Sequence, residues 1–128
     1  MNIGIDSIEI SRIEKSLKIS GFLEKVFSAE EIDFFISRNM RAESIAANFV
    51  AKEAFSKALG TGIRGFSLNE ISVLRDELGA PYLKLSGKAL EAAARLSFKV
   101  SITHTRDVAT AIVLAIDEVT NYKKSIAF

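Results

Sequence analysis

The sequence predicts an α+β fold, with a mostly antiparallel sheet packed against one long central helix and shorter helices around it. Three observations predict it. Strand-like and helix-like segments are mixed without strict alternation, two strand pairs are joined by short polar turns, and one unbroken Ala-rich stretch has helical spacing.

Asn2 to Glu9 alternates β-branched Ile3 and Ile5 with small or polar neighbours, as a short strand does. Ser11 to Leu17 shifts to helical spacing, with Ile10, Ile13 and Leu17 on one stripe, and Gly21 is expected to end it. Ser28-Ala-Glu-Glu is a capping-box pattern opening a helix through Ile32, Phe35 and Ile36. Arg41 to Leu59 is the strongest helix, free of Pro and Gly, with apolar residues at Ile45, Phe49, Val50, Ala54, Ala58 and Leu59. Gly60-Thr61-Gly62 stops it, because glycine tolerates a left-handed helix end. Glu70 to Arg75 and Tyr82 to Leu85 read as strands around a turn at Asp76–Pro81. Ser86 to Leu96 reads as a short helix, and Lys99 to His104 with Val108 to Ile116 as a second strand pair around Arg106-Asp107.

The chain has 128 residues, which suits one compact domain over 1–128. It has no cysteine, which excludes disulfides and Cys-ligated zinc and suits a reducing cytoplasm. Lys plus Arg is 17 against 16 Asp plus Glu, so the basic excess of a nucleic-acid binder is missing. The most apolar stretch, Val108 to Ile116, is far shorter than the roughly 20 residues of a membrane span, so no membrane partner is expected.

Glu53 and Lys57 stand four apart on one helix face. That pattern fits a surface ion pair, or a hard oxygen ligand for Mg²⁺ beside a phosphate-binding amine. The glycines follow the helix rather than precede it, so the segment is not a P-loop. Asp6 is a second candidate carboxylate, on the same strand face as Gly4, and equally a candidate helix N-cap. His104, the single histidine, falls in phase with apolar Val100 and Ile102, as a structural histidine or a donor to phosphate. No nucleophile motif accompanies it.

Three segments together resemble one family. Asn2-Ile-Gly-Ile-Asp-Ser-Ile-Glu-Ile-Ser-Arg12 is similar to the opening of holo-acyl-carrier-protein synthases, with its G-x-D-x-x-E core. The stretch from Asn48 to Gly62 resembles their F-x-x-K-E-A-x-x-K-A-x-G-T-G helix. Val100 to Thr105, followed by Ala109 and Ala111, resembles their S-x-T-H-T strand.

The resemblance implies a 4′-phosphopantetheinyl transferase that moves the phosphopantetheine arm of coenzyme A (CoA) onto a serine of apo acyl carrier protein, releasing adenosine 3′,5′-bisphosphate, for fatty acid biosynthesis. It implies Mg²⁺ on Asp6 and Glu53, CoA phosphate on Lys57, and CoA contacts near Gly60, His104 and Thr105. Pro81, in Gly79-Ala80-Pro81-Tyr82, resembles a family hairpin turn near the adenine end of CoA. The implied catalytic set is Asp6, Glu53 and Lys57. Arg12, extended by Lys25, is implied as the docking patch for an acidic carrier protein, and the assembly as a homotrimer with its sites at subunit interfaces. Proton removal from the serine stays open between a water at the metal and a carboxylate, of which Glu53 is the one named. Two other functions stay open: transfer to a polyketide or peptide synthase carrier, and a non-catalytic CoA-binding module.

Overall fold

A computed structural model describes residues 1–60 and 65–117. Thr61 and Gly62 of the expected helix stop, and the stretch from Asn121 to Phe128, lie outside the described residues.

Strand β1 (Asn2–Glu9) leads directly into helix α1 (Ile10–Ser16). Helix α2 (Phe22–Val26) follows, then α3 (Ala29–Ser37) and the long α4 (Ala42–Leu59). A single 3-10 turn precedes β2 (Ile71–Arg75), which pairs antiparallel with β3 (Pro81–Leu85). Helix α5 (Gly87–Ala93), β4 (Leu96–His104) and β5 (Val108–Asp117) complete the described fold. β5 is central in a three-stranded antiparallel sheet ordered β1-β5-β4, so the α+β expectation holds.

Local chemistry explains most boundaries. The Ser28 hydroxyl accepts from the Glu31 backbone N–H, while Ser28 N–H donates to Glu31 Oε1 at 3.0 Å, the reciprocal capping box expected from sequence. Gly60 closes α4 at φ 79°, a left-handed cap that disfavours a side chain. Three expected boundaries are corrected. Gly21 does not merely end α1; at φ 83° it is the N-cap of α2, a five-residue helix too short to show a periodic pattern. The helix expected to reach Leu96 stops at Ala93, because Ala94 takes φ 44°, and β4 begins at Leu96 rather than Lys99. Glu70 belongs to the 3-10 turn and not to β2.

Helix α4 lies over the sheet face formed by alternate residues of β1, β5 and β4. On that face Ala109, Ala111, Val113 and Ala115 of β5 are buried. Small residues on both surfaces bring helix and sheet close. The two come close at Gly4, where a Cβ would stand 2.0 Å from the Ala54 carbonyl oxygen and 2.6 Å from the Ala58 nitrogen. Phe27, Phe35 and Phe55 are fully buried, Phe55 against Phe98 of β4 with ring centroids 4.9 Å apart, each contributing about 2 kcal/mol from area alone. Among the described residues no helix is long and apolar enough to cross a membrane.

A candidate active site at the C-terminal end of the long helix

The register of the sheet decides where Asp6 points. Asp6 pairs with Ala111 of β5, and two residues earlier Gly4 pairs with Val113, both partners buried beneath α4. Asp6 therefore belongs to the helix-facing side of β1, two residues past the close approach at Gly4. It is not an N-cap, since that position before α1 is taken by Glu9.

The last turns of α4 bring Glu53 and Lys57 over this strand. Lys57 Nζ donates to the Ile5 carbonyl oxygen at 3.0 Å and to Asp6 Oδ1 at 3.2 Å. Glu53 is half-buried, and burial first, then the negative charge of Asp6, raises its carboxyl above the ordinary range, with Lys57 pulling the other way. The three residues thus share one electrostatic site although 51 positions separate Lys57 from Asp6. Two carboxylates that repel each other offer hard oxygen donors, the ligand type that a small divalent cation such as Mg²⁺ takes. The residues present fit that ion.

Two further candidates, Pro81 and His104, lie elsewhere. Pro81 opens β3 directly opposite Arg75 of β2, and both line a cleft of about 470 Å³ together with Phe34, Arg38, Arg41 and His104. His104 Nδ1 lies 3.2 Å from the Thr105 carbonyl oxygen. A carbonyl only accepts, so Nδ1 carries the proton there and Nε2 is left for a ligand. Thr105 Oγ1 accepts from the Asp107 and Val108 N–H groups at 3.3 and 3.2 Å, fixing the turn that follows His104. Contrary to a core histidine's behaviour, His104 is exposed, at the last residue of β4. Gly60 caps α4 with its N–H on the Lys57 carbonyl oxygen at 3.0 Å. Arg12 on α1 and Lys25 on α2 are exposed.

One chain therefore builds two separate groups. The cleft reaches α4 at Glu43, Ser44 and Ala47, whereas Glu53 and Lys57 lie near its other end. Ser44 and Glu53 are about 14 Å apart along the helix axis.

Residues 2–113 match the 4′-phosphopantetheinyl transferase superfamily. The chain belongs to that superfamily. The curated holo-[acyl-carrier-protein] synthase of Clostridium perfringens is 48% identical over 119 residues, covering 87% of this chain and 90% of that protein. Among solved structures, Helicobacter pylori holo-[acyl-carrier-protein] synthase in complex with coenzyme A matches with TM-score 0.79 and 36% identity, covering 89% of this chain and 99% of that one. The Bacillus anthracis holo-(acyl-carrier-protein) synthase in complex with CoA (3′,5′-ADP) matches with TM-score 0.74 and 35% identity, covering 89% and 94%. As a phosphopantetheinyl transferase, the chain is an enzyme, and its fold is that of the superfamily's holo-acyl-carrier-protein synthases.

Sequence reasoning missed a buried polar hub on α4. Lys52 and Glu31 are both completely buried and ion-paired. Lys52 Nζ also donates to the carbonyl oxygens of Val26, Leu68 and Ile71, at 2.9, 3.1 and 2.6 Å. Burial pushes the Lys52 ammonium down to about 8, against the opposing pull of Glu31. The available signal was the position of Lys52, four residues past Asn48 and three before Phe55, on the buried side of α4.

Proposed function

We propose that this chain transfers the 4′-phosphopantetheine arm of CoA to a serine of apo acyl carrier protein, releasing adenosine 3′,5′-bisphosphate. The observation that carries the reading is the convergence of Asp6, Glu53 and Lys57 at one point in a chain of this superfamily.

In the reaction the serine Oγ forms a bond to the β-phosphorus, the bridging P–O bond to the α-phosphate breaks, and the serine proton leaves. Asp6 and Glu53 are the residues that would hold Mg²⁺, which supplies charge neutralisation for the pyrophosphate when bound. Lys57, anchored by the Ile5 carbonyl and Asp6, presents its ammonium where negative charge builds on the phosphate oxygens. The serine proton passes to a carboxylate, for which Glu53 is proposed, or to a water at the metal. Pro81, His104, Thr105 and Gly60 are read as contacts along the rest of CoA.

The carrier supplies the nucleophile, so none is needed in this chain. Arg12 and Lys25 are proposed to meet its acidic surface. We also read the enzyme as one catalytic domain, working in fatty acid biosynthesis in the cytoplasm, as a homotrimer. Two features support self-association. The two site groups lie apart in one chain, and Ile3 and Ile5 leave the opposite face of β1 exposed at 60% and 57%.

Purified chain, apo carrier protein, CoA and Mg²⁺ are expected to give a carrier heavier by one phosphopantetheine group in intact-protein mass spectra. An unmodified carrier after prolonged incubation overturns the proposal. Light scattering showing an active monomer removes the trimer alone.

A further inference from the structure

The cleft near Pro81 and His104 contains a guanidinium whose aim is set from inside the protein. Arg75 Nη2 donates to Asn48 Oδ1 at 3.1 Å. Asn48 is fully buried, and its amide nitrogen donates to Glu31 Oε2 and to the Val73 carbonyl oxygen, both at 3.0 Å. Both of those partners can only accept, so the amide has one possible orientation and its oxygen must turn toward Arg75. Glu31 is itself fixed by Lys52 Nζ and the Ser28 N–H. A continuous relay of Lys52, Glu31 and Asn48 thus ends on Arg75.

Arg75 is only half-exposed, lies 5.5 Å from the Phe34 ring centroid, and has Arg38 on the same ring at 5.4 Å. Among the described residues no carboxylate lies within ion-pair distance of it. Of the three acids lining the cleft, Glu43 faces Arg41 at 3.7 Å, Asp76 Oδ1 accepts from the Leu78 and Ala80 N–H groups at 2.9 Å, and Glu77 is exposed to solvent. Two guanidiniums beside one ring, with spare donors, fit an anion with several oxygens.

We propose that Asn48 is a positioning residue for donor recognition, holding Arg75 in the cleft for the 3′-phosphate of CoA. The inference rests on the transferase reading above. CoA carries a pyrophosphate and one separate phosphomonoester on its ribose. The pyrophosphate is assigned to Asp6, Glu53 and Lys57 at the far end of α4, which leaves the monoester for Arg75.

The test uses CoA and 3′-dephospho-CoA as donors with saturating apo carrier. Arg75→Ala is expected to raise KM for CoA about ten- to a hundred-fold, the loss of a charged hydrogen-bonded contact, with KM for dephospho-CoA hardly moved. Arg75→Lys falls between. Asn48→Ala reproduces the pattern, and the double variant is no worse than Arg75→Ala alone, since both act through one contact. If Asn48→Ala does not fold, Asn48→Ser keeps one hydroxyl donor and acceptor and is expected to show an intermediate CoA-specific rise. A CoA to dephospho-CoA ratio unmoved by Arg75→Ala, or Asn48 variants that lose only melting temperature, overturn the inference. A wild-type chain that uses neither donor instead overturns the transferase reading.

Discussion

Lys57 is ion-paired across the fold to Asp6, at 3.2 Å, rather than along its own helix to Glu53. The four-residue spacing of Glu53 and Lys57 invites an intrahelical pair, but the approach of α4 to Gly4 sets the lysine over β1 instead. The pair ties the end of the helix to the strand, and it leaves Glu53 free beside a second negative charge.

That arrangement separates activity from stability. Glu53→Gln removes one of two repelling carboxylates, so the folded state is expected to melt at the same temperature or higher. Transfer from CoA is expected to fall on the order of 100-fold or more, because one of the two hard oxygen ligands that would hold Mg²⁺ is lost. Asp6→Asn should lose activity similarly, with only a small stability change, since its exposed pair with Lys57 is worth little. Rates by mass spectrometry and thermal melts of the same samples check both halves.

The raised carboxyl of Glu53 fixes the sign of a pH effect. At acid pH the group is protonated in folded and unfolded chains alike. As pH rises through the ordinary carboxylate range the unfolded chain gives up its proton first, so stability is lost until the folded value is passed. Wild type and Glu53→Gln should therefore melt alike in acid, and the wild type should fall behind as pH rises toward neutral. Melting curves across that range test it. Mg²⁺ affinity, measured by calorimetry, should climb over the same window, since the ion competes with the proton.

Gly4 is needed for space rather than for backbone freedom. A methyl group there would meet the Ala54 carbonyl oxygen at 2.0 Å and the Ala58 nitrogen at 2.6 Å, both backbone atoms that cannot swing away. Gly4→Ala is expected to cost at least about 3 kcal/mol in urea melts. Any folded fraction should also show reduced transfer, because lifting α4 withdraws Lys57 from Asp6.

Local signals made much of this legible. The capping box at Ser28, the alternation of β1 and the Ala-rich stretch of α4 each act over a few residues, so reading them needs no tertiary information. Asp6, Glu53 and Lys57 were visible as chemistry, but their meeting depends on the register of β1 against β5 and on helix packing at Gly4. Arg75 stayed hidden for the same reason: only the hairpin register sets it opposite Pro81, and only a buried amide aims it. Glu31 was read as a cap and is one, yet the same carboxylate also holds Lys52. A sequence pattern assigns a charged residue to the surface and cannot show a second partner 21 positions away.

The Lys52–Glu31 pair yields the strongest stability prediction. Lys52→Met leaves the Glu31 carboxylate buried without its counter-ion and three carbonyl oxygens without a donor, at an expected cost of about 3–5 kcal/mol. Glu31→Gln should cost less. It keeps an oxygen for the Ser28 N–H, at the expense of the Asn48 N–H that Oε2 accepted, and it removes the one influence that holds the Lys52 ammonium up at about 8. The lysine can then shed its proton nearer neutral pH instead of remaining a lone buried charge. Urea melts should rank the two variants in that order, and the Lys52→Met/Glu31→Gln double should cost less than the sum of the singles. Titration of the Lys52 side chain by NMR in Glu31→Gln should give a midpoint below that of wild type; an unchanged midpoint would show that the carboxylate does not hold the charge in place.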